Sequence, residues 1–302
     1  MTGAPRVTVL GSVNMDLVTT TAHLPAPGET VLGTGFRTGS GGKGANQAVA
    51  AARAGAQVVF LGAVGDDAFA PALRRGLVEA GVDVALLRTV PGPSGVAAIT
   101  VDRAGENSIV VVGGANRTVD ALTDAERAAV VDADVLLCQL ELPVTVVAEA
   151  IAVAHRSGTV TVLNAAPAQP LPDTLLTEVD VLVVNETEAA QLGEHALTRA
   201  GNVVTTLGRR GARRRGPDGT ALHVPAPAVT VVDTTGAGDA FTGTLAACWH
   251  RGPEIAVRRA VAAGSLATTR PGAATAPTAS EVDTLLTRLA APQSSAQPVH
   301  PA

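Results

Sequence analysis

An aspartate stands directly behind three small residues near the carboxyl end of the chain. Asp239 follows Gly236-Ala237-Gly238, and an apolar stretch with helical spacing comes after it. The first N–H groups of a helix have no intrahelical partner, so this segment predicts an anion-binding site. An acid beside such a site suits phosphoryl transfer, because it can accept a proton from an attacking hydroxyl. An acid that merely favours the helix dipole is the alternative interpretation.

Two more polar residues follow the first predicted strand. Asn14 and Asp16 are two positions apart, so an extended backbone directs both side chains to one face. Ligands bind at the carboxyl ends of strands in open α/β sheets. An amide and a carboxylate there could clamp vicinal hydroxyls, and the acid would repel a phosphorylated sugar. A turn built from Asn and Asp would use the same residues.

A glycine-rich segment runs from Gly39 to Ala52, and its helix is predicted to begin near Gly44. Glycines allow the backbone to approach a ligand, and Lys43 and Asn46 add polar groups to a small, apolar segment. The spacing is not the GxxxxGK[ST] of a P-loop. A plain glycine-rich turn would also account for it.

These residues must be positioned by a layered fold. Short β-branched runs alternate with alanine-rich amphipathic stretches, which predicts an α/β domain over residues 1–290 with a mostly parallel central sheet and helices on both faces. Residues 14–41 and 94–112 break the alternation and predict a small β appendage. The Pro- and Ser-rich stretch 291–302 predicts a disordered tail.

Composition excludes several classes of protein. With 46% hydrophobic residues and a mean hydropathy of +0.29, the chain can bury a large core and is not a disordered protein. A net charge of −5 gives no general attraction to nucleic acid, and the apolar runs are too short for a membrane span. We expect a soluble, cytoplasmic protein with Cys138 and Cys248 in its core and no histidine at a metal site.

Two longer motifs give the chain a family resemblance. "GGKGANQA" at 41–48 and "DTTGAGDAFTG" at 233–243 resemble the two signature regions of the ribokinase-like, or PfkB, carbohydrate kinases. The resemblance runs from about Val7 to Pro277. It includes "GAN" at 114–116, "QLE" at 139–141, "NAAPA" at 164–168 and "NETEA" at 185–189.

The resemblance implies a role for each matching residue. The sugar would be held by Asn14, Asp16, Gly42, Lys43, Asn46 and Glu141. Asp239 would be the catalytic base, beside an anion hole made by Gly236, Ala237 and Gly238. ATP would be bound by Asn185, Thr206, Leu207, Gly208, Arg209, Arg210, Gly211 and Gly238.

Two metal ions are implied as well. Mg²⁺ would accompany ATP, placed through water by Asn185 and Glu188. An activating K⁺ would be bound by Asp233, Thr235, Ala267, Arg270 and Gly272. The chain departs from the family pattern at Val261 near adenine, at Ala276 in the cation site, and in a shorter stretch between Asn185 and Thr206.

The family further implies a lid over the sugar, built from the two β segments, and a homodimer formed by two such lids. The expected reaction is transfer of the γ-phosphate of ATP to the 5-hydroxyl of D-ribose. Two alternatives stay open at this point: a kinase of another small sugar or of a nucleoside, and a non-catalytic sugar-binding regulator. An intact acid beside an anion hole favours a kinase, because a regulator has no use for a base there.

Overall fold

Two β-sheets organise the chain in a computed structural model, which describes residues 3–290. The predicted tail at 291–302 lies outside the described residues. The strands are β1 (Arg6–Leu10), β2 (Asn14–Thr20), β3 (Gly35–Gly41), β4 (Gln57–Val64), β5 (Val82–Asp83), β6 (Leu87–Thr89), β7 (Gly95–Val101), β8 (Asn107–Val112), β9 (Val135–Gln139), β10 (Val160–Asn164), β11 (Val181–Asn185), β12 (Asn202–Thr206), β13 (Ala212–Arg215) and β14 (Ala221–Val224). The helices are α1 (Lys43–Arg53), α2 (Ala70–Glu79), α3 (Asp124–Val131), α4 (Val144–Ser157), α5 (Asp173–Thr177), α6 (Glu186–Arg199), α7 (Ala237–Cys248), α8 (Pro253–Ala267) and α9 (Ala279–Ala290).

The large sheet has the order β14-β13-β12-β11-β10-β9-β1-β4-β5, with β6 also paired to β4. Its strands from β12 to β5 are parallel, and β13 and β14 add an antiparallel edge. Side chains alternate between two cores: Val9 and Leu137 pack on one face, and Leu10 and Leu136 on the other. Burial on both faces explains why these strands are almost continuously apolar.

The smaller sheet has the order β3-β2-β7-β8 and is made from the two segments that break the alternation. β2 pairs with β7 in parallel and with β3 in antiparallel fashion. β8 lies at the edge and is exposed along its whole length. Five large apolar side chains of this sheet are more than half exposed: Phe36, Ile109, Val110, Val111 and Val112.

Close packing of α1 against α7 brings the two signature motifs together. Gly243 of α7 faces the first turns of α1, where a Cβ would lie 2.3 Å from the carbonyl oxygen of Gln47. A larger residue would push the helices apart, so glycine sets this approach. Lys43 and Asp239 consequently lie at adjacent helix starts.

Both cysteines lie in the interior of the protein, as the sequence predicts. Cys138 and Cys248 are both buried, and neither forms a disulfide. Among residues 3–290, none of the helices has the length and apolar character needed to cross a membrane.

Candidate active site

Asp239 occupies the first turn of α7 and is only 9% exposed. Both carboxylate oxygens accept hydrogen bonds from α1: Oδ1 from Gln47 Nε2 at 2.8 Å and Oδ2 from Asn46 Nδ2 at 3.0 Å. Burial raises the pKa of Asp239, while Lys43 and these two amides act in the opposite direction. The carboxylate is held in one orientation and raised in basicity, as a proton acceptor requires.

The predicted anion hole lies at the start of the same helix. Gly236 has φ of +74°, and a Cβ there would lie 2.1 Å from the carbonyl oxygen of Ala273, so only glycine fits. The N–H of Ala237 differs from the expectation, because it donates to the Thr234 carbonyl at 3.3 Å. For Gly236 and Gly238, no residue within 3–290 accepts the backbone N–H. These two glycine amides are therefore the available donors for an anion.

Asn14 and Asp16 lie on one face of β2, as their spacing predicts. Asn14 is buried and Asp16 is partly buried. The pKa of Asp16 is raised to about 6, first by burial and then by the charges of Glu141 and Asp239, while Arg37 lowers it. The carboxylates of Glu141 and Asp239 therefore lie close enough for their charges to act on that of Asp16.

Lys43 supplies the positive charge among these acids. Its backbone N–H donates to Glu141 Oε2 at 3.1 Å, and the Ser12 hydroxyl donates to the same oxygen. Burial alone would lower the pKa of the Lys43 ammonium, but the charges of Asp239, Glu141 and Glu188 raise it. Lys43 is therefore charged and faces the predicted base.

Three cavities surround this cluster. The first, of about 520 Å³, lies between β3 and the helices α1 and α2, and its wall includes Asp16, Arg37, Asn46 and Arg53. A second cavity, of about 570 Å³, includes Thr206, Gly208, Arg209, Gly211, Gly238, Phe241 and Val261. The third is a small cavity of about 150 Å³, and its wall includes Lys43, Asn185, Glu188, Thr206, Gly238 and Asp239.

The second and third cavities share Thr206 and Gly238. The predicted nucleotide residues are brought together here, with two exceptions. Arg210 is not in the cavity wall and forms an ion pair with Glu186, and Leu207 is also absent from the wall. Val261 and Phe241 lie in the wall of the second cavity with Val229 and Val231, so a nucleobase there would meet mainly aliphatic and small side chains.

Asn185 and Glu188 form a capping box at the start of α6. Glu188 N donates to Asn185 Oδ1 at 2.8 Å, and Asn185 N donates to Glu188 Oε2 at 2.8 Å. This structural role engages the single side-chain oxygen of Asn185 and one of the two carboxylate oxygens of Glu188. Glu188 Oε1 is the remaining carboxylate oxygen beside the small cavity, and carboxylate oxygens acting through water suit Mg²⁺. Nowhere in residues 3–290 do three or more His, Cys, Asp or Glu side chains form a metal-binding group.

The predicted cation residues lie in two adjoining turns. Asp233 accepts from Gly272 N at 2.8 Å and from Thr235 N at 2.9 Å, and these bonds lower its pKa although burial opposes them. The Arg270 guanidinium is paired with Glu281, so Arg270 can offer only its backbone carbonyl. Carboxylate and carbonyl oxygens are the donors that a hard monovalent cation prefers, so the set fits K⁺ in chemical type.

Two side chains restrain the carbonyls of these turns. The Thr275 hydroxyl donates to the carbonyls of Ala267 at 3.3 Å and Gly272 at 3.1 Å. Arg53, at the end of α1, donates to the carbonyl of Ala276 at 2.7 Å. Helix α1 is therefore directly linked to the turns that hold the predicted cation residues.

Sequence reasoning missed four buried amides around the site. Asn116, Gln47, Gln139 and Asn164 are each at most 8% exposed. All four lie in motifs that carry the resemblance, but none of the four amides was assigned a role. For Gln139, Asn164 and Gln47 the signal was a polar residue within an apolar strand or a small-residue helix, where an unpartnered amide is costly. Asn116 lies in a short turn after β8 and gave no such signal.

Residues 4–279 match the family model described as "pfkB family carbohydrate kinase". The chain belongs to the PfkB family of carbohydrate kinases. Within this family, a ribokinase from Bacillus subtilis is 40% identical over 295 residues, covering 93% of this chain and 99% of the relative. A bifunctional ribokinase/ribose-5-phosphate isomerase A from Fructilactobacillus sanfranciscensis is 40% identical over 259 residues, and the chain covers 48% of its length.

The PfkB fold is also evident among solved structures. The structure of Arabidopsis thaliana ribokinase complexed with ribose and ATP is 31% identical, with a TM-score of 0.87. The match covers 94% of this chain and 99% of that one. The predicted family and the predicted α/β class with a separate small sheet are therefore confirmed.

Proposed function

We propose that this PfkB kinase transfers the γ-phosphate of ATP to the 5-hydroxyl of D-ribose. The observation that carries the proposal is the position of Asp239. It lies in the wall of a small cavity that shares Thr206 and Gly238 with the cavity of about 570 Å³, and it accepts a hydrogen bond from Asn46, which lines the cavity of about 520 Å³. The similarity to ribokinases over almost the whole chain supports ribose as the sugar.

Ribose recognition would use hydroxyl-specific groups. Asn14 and Asp16 offer a donor and two acceptors on one strand face, and Asn46 adds an amide from α1. Lys43 and Glu141 would complete the site with Gly42, whose backbone precedes α1. A neutral sugar fits this set, because a phosphorylated one would meet the carboxylates of Asp16 and Glu141.

The transfer would proceed with Asp239 as the base. It accepts the proton of the 5-hydroxyl as that oxygen bonds to the γ-phosphorus and the bond to the β-phosphate oxygen breaks, releasing ADP. The N–H groups of Gly236 and Gly238 would stabilise negative charge on the transferred group. Lys43 lies close enough to add positive charge at the same cavity.

ATP would occupy the cavity of about 570 Å³, with its phosphates toward Gly238. Asn185 and Glu188 would hold a hydrated Mg²⁺, which supplies charge neutralisation on the phosphates. Asp233 with the carbonyls of Thr235, Ala267, Arg270 and Gly272 would hold K⁺, which would supply positive charge to these turns. The carbonyl of Ala273, in the second turn, lies against Gly236 of the anion hole.

The four-stranded sheet would act as a lid, since β2 and β3 carry or flank the sugar residues. Its exposed apolar side chains and the unpaired edge of β8 support a homodimer through two lids. A cytoplasmic location is supported by two unpaired cysteines.

The test is a coupled assay of ADP formation with a panel of pentoses, deoxyribose, hexoses, fructose 6-phosphate and nucleosides. D-ribose should give the highest kcat/KM, because its hydroxyls match the donor and acceptor set. A nucleoside or fructose 6-phosphate preferred by about tenfold, equal to about 1.4 kcal/mol, would overturn the assignment. No turnover with any of them would favour a sugar-binding regulator.

A further inference from the structure

Gln47 is the centre of a buried network of amides behind Asp239. Its side chain is 0% exposed. Nε2 donates to Asp239 Oδ1 at 2.8 Å and to Asn164 Oδ1 at 2.9 Å, and Oε1 accepts from Gln139 Nε2 at 2.8 Å. Both polar atoms of the Gln47 side chain are therefore engaged.

The direction of this network is fixed by groups that can only accept. Asn164 Nδ2 donates to the Val183 carbonyl at 3.1 Å, so Asn164 must present its oxygen to Gln47. An ionised Asp239 also offers only acceptors. Turning the Gln47 amide over would place its oxygen against two other oxygens, so Gln47 presents its NH₂ group to both.

This arrangement leaves the side-chain oxygen of Gln139 without a hydrogen-bond partner among the described residues. Because Gln47 presents Oε1, Gln139 must donate, and its own Oε1 has no hydrogen-bond partner among the described residues. That oxygen lies against Gly11, where a Cβ would be 2.1 Å away. A buried acceptor without a partner is unfavourable, so the orientation of Gln47 is kept at the expense of stability.

We propose that Gln47 is a positioning residue for the phosphoryl transfer. It holds one oxygen of Asp239 while Asn46 holds the other, which aims the carboxylate and favours its ionised form. Gln47 is not in the wall of any of the three cavities, so it acts through Asp239. The inference rests on the proposed function, in which Asp239 is the base.

Other charges around Asp239 must be kept constant in a test. Lys43 from α1 and Glu141 after β9 act on its pKa, and Asp16 from β2 is coupled to it. Glu188 from α6 acts on Lys43. Substituting Gln47 leaves all four of these charged residues in place. Measuring kcat at saturating ribose removes the effect that titration of Asp16 has on ribose binding.

The experiment measures kcat at saturating ribose and ATP from about pH 5 to about pH 9. Gln47→Met keeps the volume of the side chain and removes the hydrogen-bond donor. We expect the acidic limb of its kcat–pH profile to move up by about one pH unit and the plateau of kcat to be about tenfold lower. Gln47→Glu keeps the shape and adds a like charge, so its limb should move further. Thr8→Val is the control, since it removes the hydrogen bond that the Thr8 hydroxyl on β1 donates to the Ala129 carbonyl of α3 at 2.8 Å.

Thr8→Val should lower the Tm and leave the acidic limb in place. The proposal is overturned if Gln47→Met and Gln47→Glu, like the control, lower the Tm and leave the acidic limb in place. If Gln47→Met does not fold, the limb of Gln47→Glu decides. A wild-type enzyme that phosphorylates another acceptor and not ribose would overturn the proposed substrate, whereas the limb shift measured on that acceptor would still test Gln47.

Discussion

Asn116 donates through Nδ2 to Asn14 Oδ1 at 2.8 Å, and Val13 N donates to Asn116 Oδ1 at 3.0 Å. Because a backbone N–H can only donate, it fixes which way the Asn116 amide faces. Asn14 has its oxygen engaged, and its Nδ2 is the group left for a sugar hydroxyl. With Asp16 two residues on, β2 offers a donor beside an acceptor.

Asn116→Asp should reverse the amide of Asn14. The carboxylate can still accept from Val13 N, but it offers Asn14 an acceptor in place of a donor, and it loses the bond from Asn116 Nδ2 to the Val13 carbonyl at 3.2 Å, so the Tm should also fall. Asn14 would then present an acceptor, and a sugar hydroxyl whose one proton is donated to Asp16 would lose its partner. The loss of about 1.4 kcal/mol should raise the ribose KM about tenfold. Steady-state kinetics with varied ribose and varied ATP check this. An unchanged ribose KM, or an equal rise in the ATP KM, would contradict it.

Ribose affinity should fall as the pH drops through about 6. The pKa of Asp16 is raised to about 6 by burial and by Glu141 and Asp239, so the protonated form dominates below that pH. Protonation removes an acceptor that the sugar hydroxyls need. Calorimetric titration of ribose at a series of pH values measures the Kd.

Asp16→Asn is the matched control for this titration. It should bind ribose weakly, with an affinity that no longer changes near pH 6. If wild type binds ribose equally well at about pH 5 and about pH 8, Asp16 does not act as an ionised acceptor.

Much of the fold and part of the site follow from the sequence. The β-branched runs and the helix starts are local signals, so the bounds of β1, α1 and α7 could be predicted within a few residues. Asp239 could be identified as a candidate base from the small residues that precede it. The bonds Asn116–Asn14 and Gln47–Asp239 join residues separated by 102 and 192 positions. No local pattern specifies such pairs, because packing of the sheets and helices determines which amides meet.

The exposed strand β8 should form a dimer interface. Val110 is 63% exposed on an unpaired edge, and Val110→Glu would place a charge in the apolar contact between two lids. Light scattering at micromolar concentration should give about 60 kDa for wild type, twice the 30.1 kDa chain, and about half of that for the variant. A monomeric wild-type protein would refute the lid-to-lid dimer.

Potassium should raise activity above sodium at equal ionic strength. Asp233 and the neighbouring carbonyls form an oxygen-rich turn that Gly272 N connects to the anion-hole segment. Asp233→Asn keeps the shape and removes the charge, so it should reduce the difference between the two salts. Equal wild-type rates in both salts would count against a cation site here.

The most direct test of the account is kcat for Asp239→Asn with ribose and ATP. The amide keeps the size of the carboxylate, its oxygen can accept from Gln47, and its NH₂ group can donate to Asn46 once that amide turns over, so the Tm and the ATP affinity should stay near wild type. The amide cannot accept the hydroxyl proton, and kcat should fall by about 10²- to 10⁴-fold. A variant that retains more than about a tenth of the wild-type kcat would contradict the account, because a base contributing less than about 1.4 kcal/mol is not acting as one.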